Sequence, residues 1–234
     1  MMEIIWAQAD IYVRGQTDLI TRPFSQKAQI EIIAANLATD ADGALPTTGK
    51  KKSAKAKRTI NPDEEFELST YRVLPNTVEA GLISSEFPHG EYAGCPGMVA
   101  VAFKRSMVDG LEKAHGLDAN LYKTYFHVMG GILPLTYGTM INTTDHSRNA
   151  HGGGIILHRP YYHRWGVKLH IIWLASKMSL SYILSFVQAG GMMGVGEHRP
   201  SAPKARGGMN GMYVVDQSMP PITYEGDTPW WPIQ

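Results

Sequence analysis

The tightest constraint on this fold lies in residues 178–215. Met178 to Ala189 sets Leu180, Ile183, Leu184 and Val187 at helical spacing. A glycine-rich turn follows, Gly190-Gly191-Met192-Met193-Gly194-Val195-Gly196-Glu197-His198-Arg199-Pro200. It leads into a loop with Lys204, Arg206, Gly207, Gly208 and Gly211, and then a short strand from Met212 to Val215. Glycine admits positive φ and close approach of main chain, and the cations supply attraction. A helix that ends in this way suits a surface meeting a large anionic partner.

The rest of the chain reads as α+β. Met2 to Val13 forms a first strand, stopped by Arg14-Gly15-Gln16-Thr17-Asp18, and Pro23 to Leu37 carries a helical apolar stripe. Residues 38–60 form a basic, flexible loop without periodicity. Residues 61–130 read as an inserted, mostly helical region. Asn61-Pro62 opens one helix there, and Met98 to His115 forms another, with Lys104 and Arg105 outward and Gly116 as its stop. Strands follow over Ile132–Tyr137 and Thr139–Asn142, then a polar glycine loop through His151–Gly154 and a strand over Gly166–Leu174. Residues 218–234 form an extended tail, whose Trp230 and Trp231 are expected to dock on the body or on a neighbouring subunit. The order strand, helix, insertion, strand, strand, helix, strand is that of a ferredoxin-like or RNA-recognition-motif βαββαβ core. A large insertion and extended loops interrupt this single domain.

Charge is segregated rather than abundant. The net charge is only +1, yet six of the nine residues Lys50-Lys51-Lys52-Ser53-Ala54-Lys55-Ala56-Lys57-Arg58 are cationic. That segment suits wrapping of a phosphate backbone, and the plain alternative is a solvated linker. Further cations fall at Arg159, His163, Arg164 and Lys168, and at His198, Arg199, Lys204 and Arg206. No apolar run reaches the ~20 residues of a membrane span, so no membrane partner is expected. A single Cys95 and the lack of a basic, apolar leader point to a reducing, cytoplasmic compartment.

No complete catalytic or cofactor set emerges. Gly43 to Gly49-Lys50 has one residue too many for a phosphate-binding loop, and no Gly-x-Ser-x-Gly elbow is present. Asp145, His146, His151, His158, His163 and His170 cluster in sequence, but their spacing lacks short metal-ligand pairs. A metal-dependent nuclease built on the His146–His170 segment is therefore the rival reading, while no enzyme, metal or cofactor is the expectation. In Arg159-Pro160-Tyr161-Tyr162-His163-Arg164-Trp165, aromatic rings beside cations suit stacking on single-stranded bases. Trp165 reads as core; Tyr161 and Tyr162 stay open between core and platform.

Three segments together resemble a widespread set of phage proteins. Ile11-Tyr12-Val13-Arg14-Gly15-Gln16-Thr17-Asp18-Leu19-Ile20 is similar to their first-strand segment ending in Gly-x-Thr-Pro-Leu, with Asp18 where Pro is usual. Pro96-Gly97-Met98-Val99-Ala100-Val101-Ala102-Phe103-Lys104-Arg105-Ser106-Met107 is similar to their central Phe-Lys-x-x-Met helix. Val195 to Pro200 and Gly207-Gly208-Met209-Asn210-Gly211 are similar to their closing Gly-x-Gly-x-x-Arg-Pro and Gly-Gly-x-x-Gly signature. Those proteins resemble the RAMP superfamily, which includes the guide-RNA-coating backbone subunits of CRISPR effector complexes. The resemblance implies an RNA-recognition-motif core and a head-to-tail homo-oligomeric filament along single-stranded DNA or RNA. It also implies a role in phage replication or recombination inside a bacterial host cell, with a guide-RNA-binding backbone subunit as a further alternative. Contacts would come from Arg14, Lys104, Arg105, Arg159, Tyr161, Arg164, His198, Arg199, Lys204, Arg206 and the Lys50–Arg58 cations. Gly194, Gly196, Gly207 and Gly208 would let main chain approach phosphate.

Overall fold

The computed structural model describes residues 5–22, 61–73, 94–148, 154–202 and 208–224. The expected helix over Pro23–Leu37, the 38–60 loop, and Trp230 and Trp231 lie outside the described residues. The architecture is α+β, with two antiparallel sheets. Its centre is β1 (Trp6–Gly15) paired with β8 (Gly166–Leu174), in a register that sets Ile11 opposite Leu169 and Ala9 opposite Ile171. β8 alternates strictly in burial, and β1 sets Ala9, Ile11 and Val13 on the same core face, so a slip by one residue would turn these apolar side chains to the wrong face. Short strands extend the sheet on either side. On the far edge of β1 lie β9 (Tyr213–Val215) and β10 (Ile222–Tyr224), one after the other. On the far edge of β8 lie β4 (Phe126–Val128) and β5 (Ile132–Thr136), and β3 (Gly97–Val99) pairs with β5. The segment expected as an extended tail thus contributes β10.

Among the described residues, four helices accompany the strands: α1 (Pro62–Leu68), α2 (Ala100–His115), α3 (Ala119–Tyr122) and α4 (Leu180–Met193). As expected, α1 starts at Asn61, whose side chain accepts from the Asp63 N–H at 3.2 Å, with Pro62 in the first turn. The α2 helix ends at Gly116 with φ 64°, where its N–H and that of Leu117 reach back to the Glu112 and Leu111 carbonyls. Phe103, Met107 and Leu111 of α2 and Ile183, Phe186 and Val187 of α4 are buried in the core that also holds Ile11 and Leu169. In chain order, α2 follows β3 and leads through α3 to β4 on the far edge of β8, and α4 leads from β8 to β9 on the far edge of β1.

Gly190 and Gly191, expected in a turn, lie inside α4, which runs on to Met193. They stay helical because the neighbouring backbones leave no room for a side chain. A Cβ on Gly190 would sit 2.7 Å from the Tyr213 hydroxyl and 2.8 Å from Met107 N, and one on Gly191 would overlap the Tyr213 carbonyl oxygen. Gly110 does the same from α2, where a Cβ would lie 2.6 Å from the Ala189 carbonyl carbon. Tyr213 is fully buried, its hydroxyl 2.8 Å from Ser106 Oγ, and stacks edge-on against Phe103 and Trp165.

The second sheet was the least visible in the sequence. The strand expected to stop at Asn142 continues as β6 (Thr139–Arg148), and β7 (Gly154–His163) returns alongside it. Two residues of β2 (Leu19–Ile20) complete the three-stranded sheet by pairing with Tyr162 and Tyr161 of β7. Pro160 fits there because β2 does not pair at that position, so its missing N–H is not needed. Helix α1 packs on β7.

Gly191→Ala should therefore destabilise at or above the ~3 kcal/mol upper end of overpacking, because the obstacle is backbone. Gly116→Ala meets open space and should cost only the roughly 1–2 kcal/mol of a left-handed residue. Urea unfolding of both variants checks this ordering, and equal losses would contradict the packing account.

Candidate nucleic-acid interface

The corner between β1 and β2 is built into the glycine loop that follows α4. Gly211 N–H donates to Asp18 O at 2.7 Å, Glu197 N–H to Ile20 O at 2.9 Å and Gln16 N–H to Met212 O at 2.8 Å. Val195 N–H donates back to Gly211 O at 3.0 Å, and Thr17 Oγ1 accepts from Met212 N–H at 3.0 Å. The three segments that carry the phage resemblance thus meet, because the first turn of α2 lies across from this loop. Where this loop faces α2 there is a cleft of about 250 Å³, lined by Arg22, Tyr71, Val101, Arg105, Asp109, Val195, Gly196, Glu197 and Arg199.

Three guanidinium groups therefore share one concavity with an aromatic ring. Arg22 and Arg105 are exposed, and neither forms an ion pair among the described residues. Arg199 is half-buried and held in place, its Nη1 donating to Gly196 O at 2.7 Å and its Nε to Ser201 Oγ at 3.2 Å. Burial, then the nearby Glu197 carboxylate, pushes the Tyr71 hydroxyl above the usual tyrosine range, so the ring stays neutral. Of the expected contact residues, the cleft gathers Arg105, Gly196 and Arg199. It adds Arg22, two residues past the first-strand segment, and Tyr71, which no local pattern singles out.

The other expected residues lie elsewhere. Arg159 is buried in β7, its Nη1 3.1 Å from Asp145 Oδ2, 3.2 Å from His198 Nε2 and 3.7 Å from Glu197 Oε2. Its charge is largely answered within the protein, where it ties the loop to the β6–β7 hairpin. His198 takes part in that tie, 3.1 Å from Asp145 Oδ2, with a backbone φ of 53° that is unusual outside glycine. Tyr161 is half-buried beside this cluster, and burial followed by Asp145 raises its hydroxyl pKa. Tyr162 and Trp165 are core residues, and burial pushes the Tyr162 hydroxyl up to about 12. Lys104, expected outward, is half-buried on the other side of α2, with Nζ 3.1 Å from His127 Nδ1 and above the Phe126 ring. Burial, and then the charge of Lys123, lowers its pKa. Arg14 is exposed at the end of β1, and Arg164 at the β7–β8 turn with φ 50°.

Gly194 and Gly208 face protein rather than open solvent. A Cβ on Gly194 would sit 3.0 Å from Pro200 Cδ, and one on Gly208 would overlap the His198 carbonyl oxygen. Gly196 lines the cleft, but a Cβ there would overlap the Ile20 carbonyl oxygen. The close approach these three residues permit is to the chain's own backbone. Lys50, Lys51, Lys52, Lys55, Lys57, Arg58, Lys204, Arg206 and Gly207 lie outside the described residues.

The histidines disperse onto separate carboxylates. His163 Nδ1 is 2.7 Å from Asp18 Oδ1, and His170 Nδ1 is 2.7 Å from Asp10 Oδ1. His146 and His151 have no described side chains, and among the described residues no three potential metal ligands converge. Asp10 is buried on the sheet face opposite the helices and also receives Lys168 Nζ at 3.1 Å and the Tyr224 hydroxyl at 2.8 Å. Burial pushes its carboxyl up, but His170, Lys168 and Tyr224 together outweigh burial and hold its pKa below the ordinary aspartate value. Among the described residues no helix is long and apolar enough to cross a membrane. No protein-family model matches the chain, and no curated protein matches it.

A depressed carboxylate pKa contributes stability above the unfolded value of ~3.9, and that contribution fades as pH falls through the lower folded value. Asp10→Asn should remove this acid limb and cost about 3–5 kcal/mol near neutrality, because Lys168 loses its buried partner. Denaturant midpoints from pH 7 down to pH 3 measure both effects. A variant with unchanged midpoints would show that the cluster carries no folding energy.

Proposed function

We propose that this chain is a RAMP-like protein that coats single-stranded nucleic acid, DNA in phage replication or recombination, as a head-to-tail filament. The observation that carries the reading is one cleft where the second and third phage-like segments meet, with Arg22 just past the first, so that Arg22, Arg105, Arg199 and Tyr71 share it. Guanidinium groups engage phosphate with charge-assisted bonds, and an aromatic ring beside them accepts an unstacked base, so the pair selects single strands over duplex. The cations of Lys50–Arg58, Lys204 and Arg206, which lie outside the described residues, belong to this reading through the sequence alone. A ferredoxin-like or RNA-recognition-motif core is part of the same reading. It is supported by two interlocked β-α-β connections with strand columns in the order β9, β1, β8 and β4/β5.

Net charge in the cleft supports a single strand rather than a polyphosphate cofactor. Arg22, Arg105 and Arg199 face Asp109 and Glu197, so the surplus is one positive charge for each subunit. A phosphodiester carries one negative charge, which the surplus answers, whereas a triphosphate would leave several unanswered.

Labelled single strands of DNA and, separately, RNA should bind with affinity that falls steeply as salt rises. Arg105→Ala and Arg199→Ala should each weaken binding on the order of tenfold, with a shallower salt slope. Electron microscopy should show filaments only with the preferred strand. Salt-independent binding, or full affinity in the double variant, would refute the reading.

A further inference from the structure

We infer that the outer edge of β6 is a self-association surface, on which a second copy of this chain pairs its own β6 antiparallel about a two-fold axis. Among the described residues, every other edge strand in the two sheets is short. β3, β4, β9 and β10 span three residues each and β2 spans two, whereas β6 spans ten. Proline guards several of those short edges: Pro96 precedes β3, Pro220 and Pro221 precede β10, and Pro23 follows shortly after β2. Proteins keep exposed edges from pairing by shortness, proline, lysine or bulges. Among the described residues, β6 has none of these, and nothing pairs with its outer edge. Its ladder with β7 runs unbroken from Thr139 opposite His163 to Arg148 opposite Gly154, so no bulge turns the edge away.

The sequence of β6 also fits a copy of itself. A two-fold axis normal to the sheet keeps each side chain on its own face, so the axis must pass midway between the two copies of one residue. Centred on Asn142, the pairing sets Ile141 opposite Thr143, Met140 opposite Thr144 and Thr139 opposite Asp145. Branched and apolar residues then meet across the axis and no like charges do, the favourable case for cross-strand pairs. Ile141 is 47% exposed in the isolated chain and would be covered by this contact. Asp145 already has Arg159 and His198 as partners, so it does not bring an unanswered charge to the seam. The contact is isologous and closes at two copies. It is thus distinct from head-to-tail filament growth and stands whether or not the chain binds nucleic acid.

The test uses the full chain without nucleic acid, at salt high enough to suppress electrostatic assembly. Light scattering on a sizing column should give the mass of two chains. Asn142→Lys places two lysines face to face on the axis and should raise the dimer dissociation constant roughly five- to tenfold. Because Asn142 is exposed, its thermal unfolding should otherwise match the parent. Asn142→Cys should be linked between chains by a short bis-thiol crosslinker, since directly opposed Cβ atoms lie about 4.5–5.5 Å apart, a little beyond a direct disulfide, while the parent with Cys95 should not. A monomeric parent, growth beyond two copies, a dimer indifferent to Asn142→Lys, or a dimer that Asn142→Cys does not link would each overturn the proposal.

Discussion

Everything in this molecule depends on how closely α2 and α4 approach each other over Tyr213. Side chains are absent at Gly110, Gly190 and Gly191 because carbonyls and amides of neighbouring segments occupy that volume. Each glycine inside a helix gives up about 1 kcal/mol of intrinsic stability relative to alanine. The return is a short distance between layers, which lets Tyr213 fill the gap with its ring and bond Ser106 with its hydroxyl. That contact fixes β9 against β1, and β9 in turn fixes the loop before it against the β1–β2 corner. The cleft is the space left where the start of α2 meets that loop. Its geometry is thus a consequence of helix packing rather than of the loop's own preferences.

The charged groups divide according to whether a carboxylate waits across the strand. Arg159, Lys168, His163 and His170 all belong to a stretch of the sequence rich in cations and histidines. Yet Arg159 meets Asp145, Lys168 and His170 meet Asp10, and His163 meets Asp18. These pairs join strand to strand and loop to sheet, and their fields are largely spent within the protein. Arg22 and Arg105 have no such partner among the described residues, and Arg199 spends its donors on a carbonyl and a hydroxyl. Three arginines of a near-neutral chain thereby meet in one concavity, where they outnumber Asp109 and Glu197 by one charge.

Legibility followed the source of each element's stability. β8 and α2 were readable because their own apolar periodicity makes them fold, and Asn61-Pro62 and Gly116 were readable because caps are local chemistry. The β6–β7 hairpin was not, since its polar residues and Pro160 carry no apolar alternation and its order comes from the ladder itself. Gly190 and Gly191 misled in the other direction: alone they signal a turn, and only the neighbouring backbone makes helix the better state. In the cleft, Arg105, Gly196 and Arg199 were legible from motif order. Arg22 and Tyr71 were not, because their placement depends on how β2 and the segment after α1 dock, which no spacing encodes.

The same distinction explains why the glycine loop changed meaning. Read locally, Gly194, Gly196 and Gly208 offer bare backbone to a phosphate. In the fold, each is pressed against Pro200, the Ile20 carbonyl or the His198 carbonyl. What they make possible is a loop dense enough to hold Arg199 and Glu197 at fixed positions beside α2. His198, at positive φ, and the buried Arg159 pin that loop from behind. A loop braced on both sides presents its arginine without a large ordering penalty when a ligand arrives, because the entropy was lost on folding. On the proposed function, these glycines serve by letting the loop pack so that Arg199 is held in place beside the cleft.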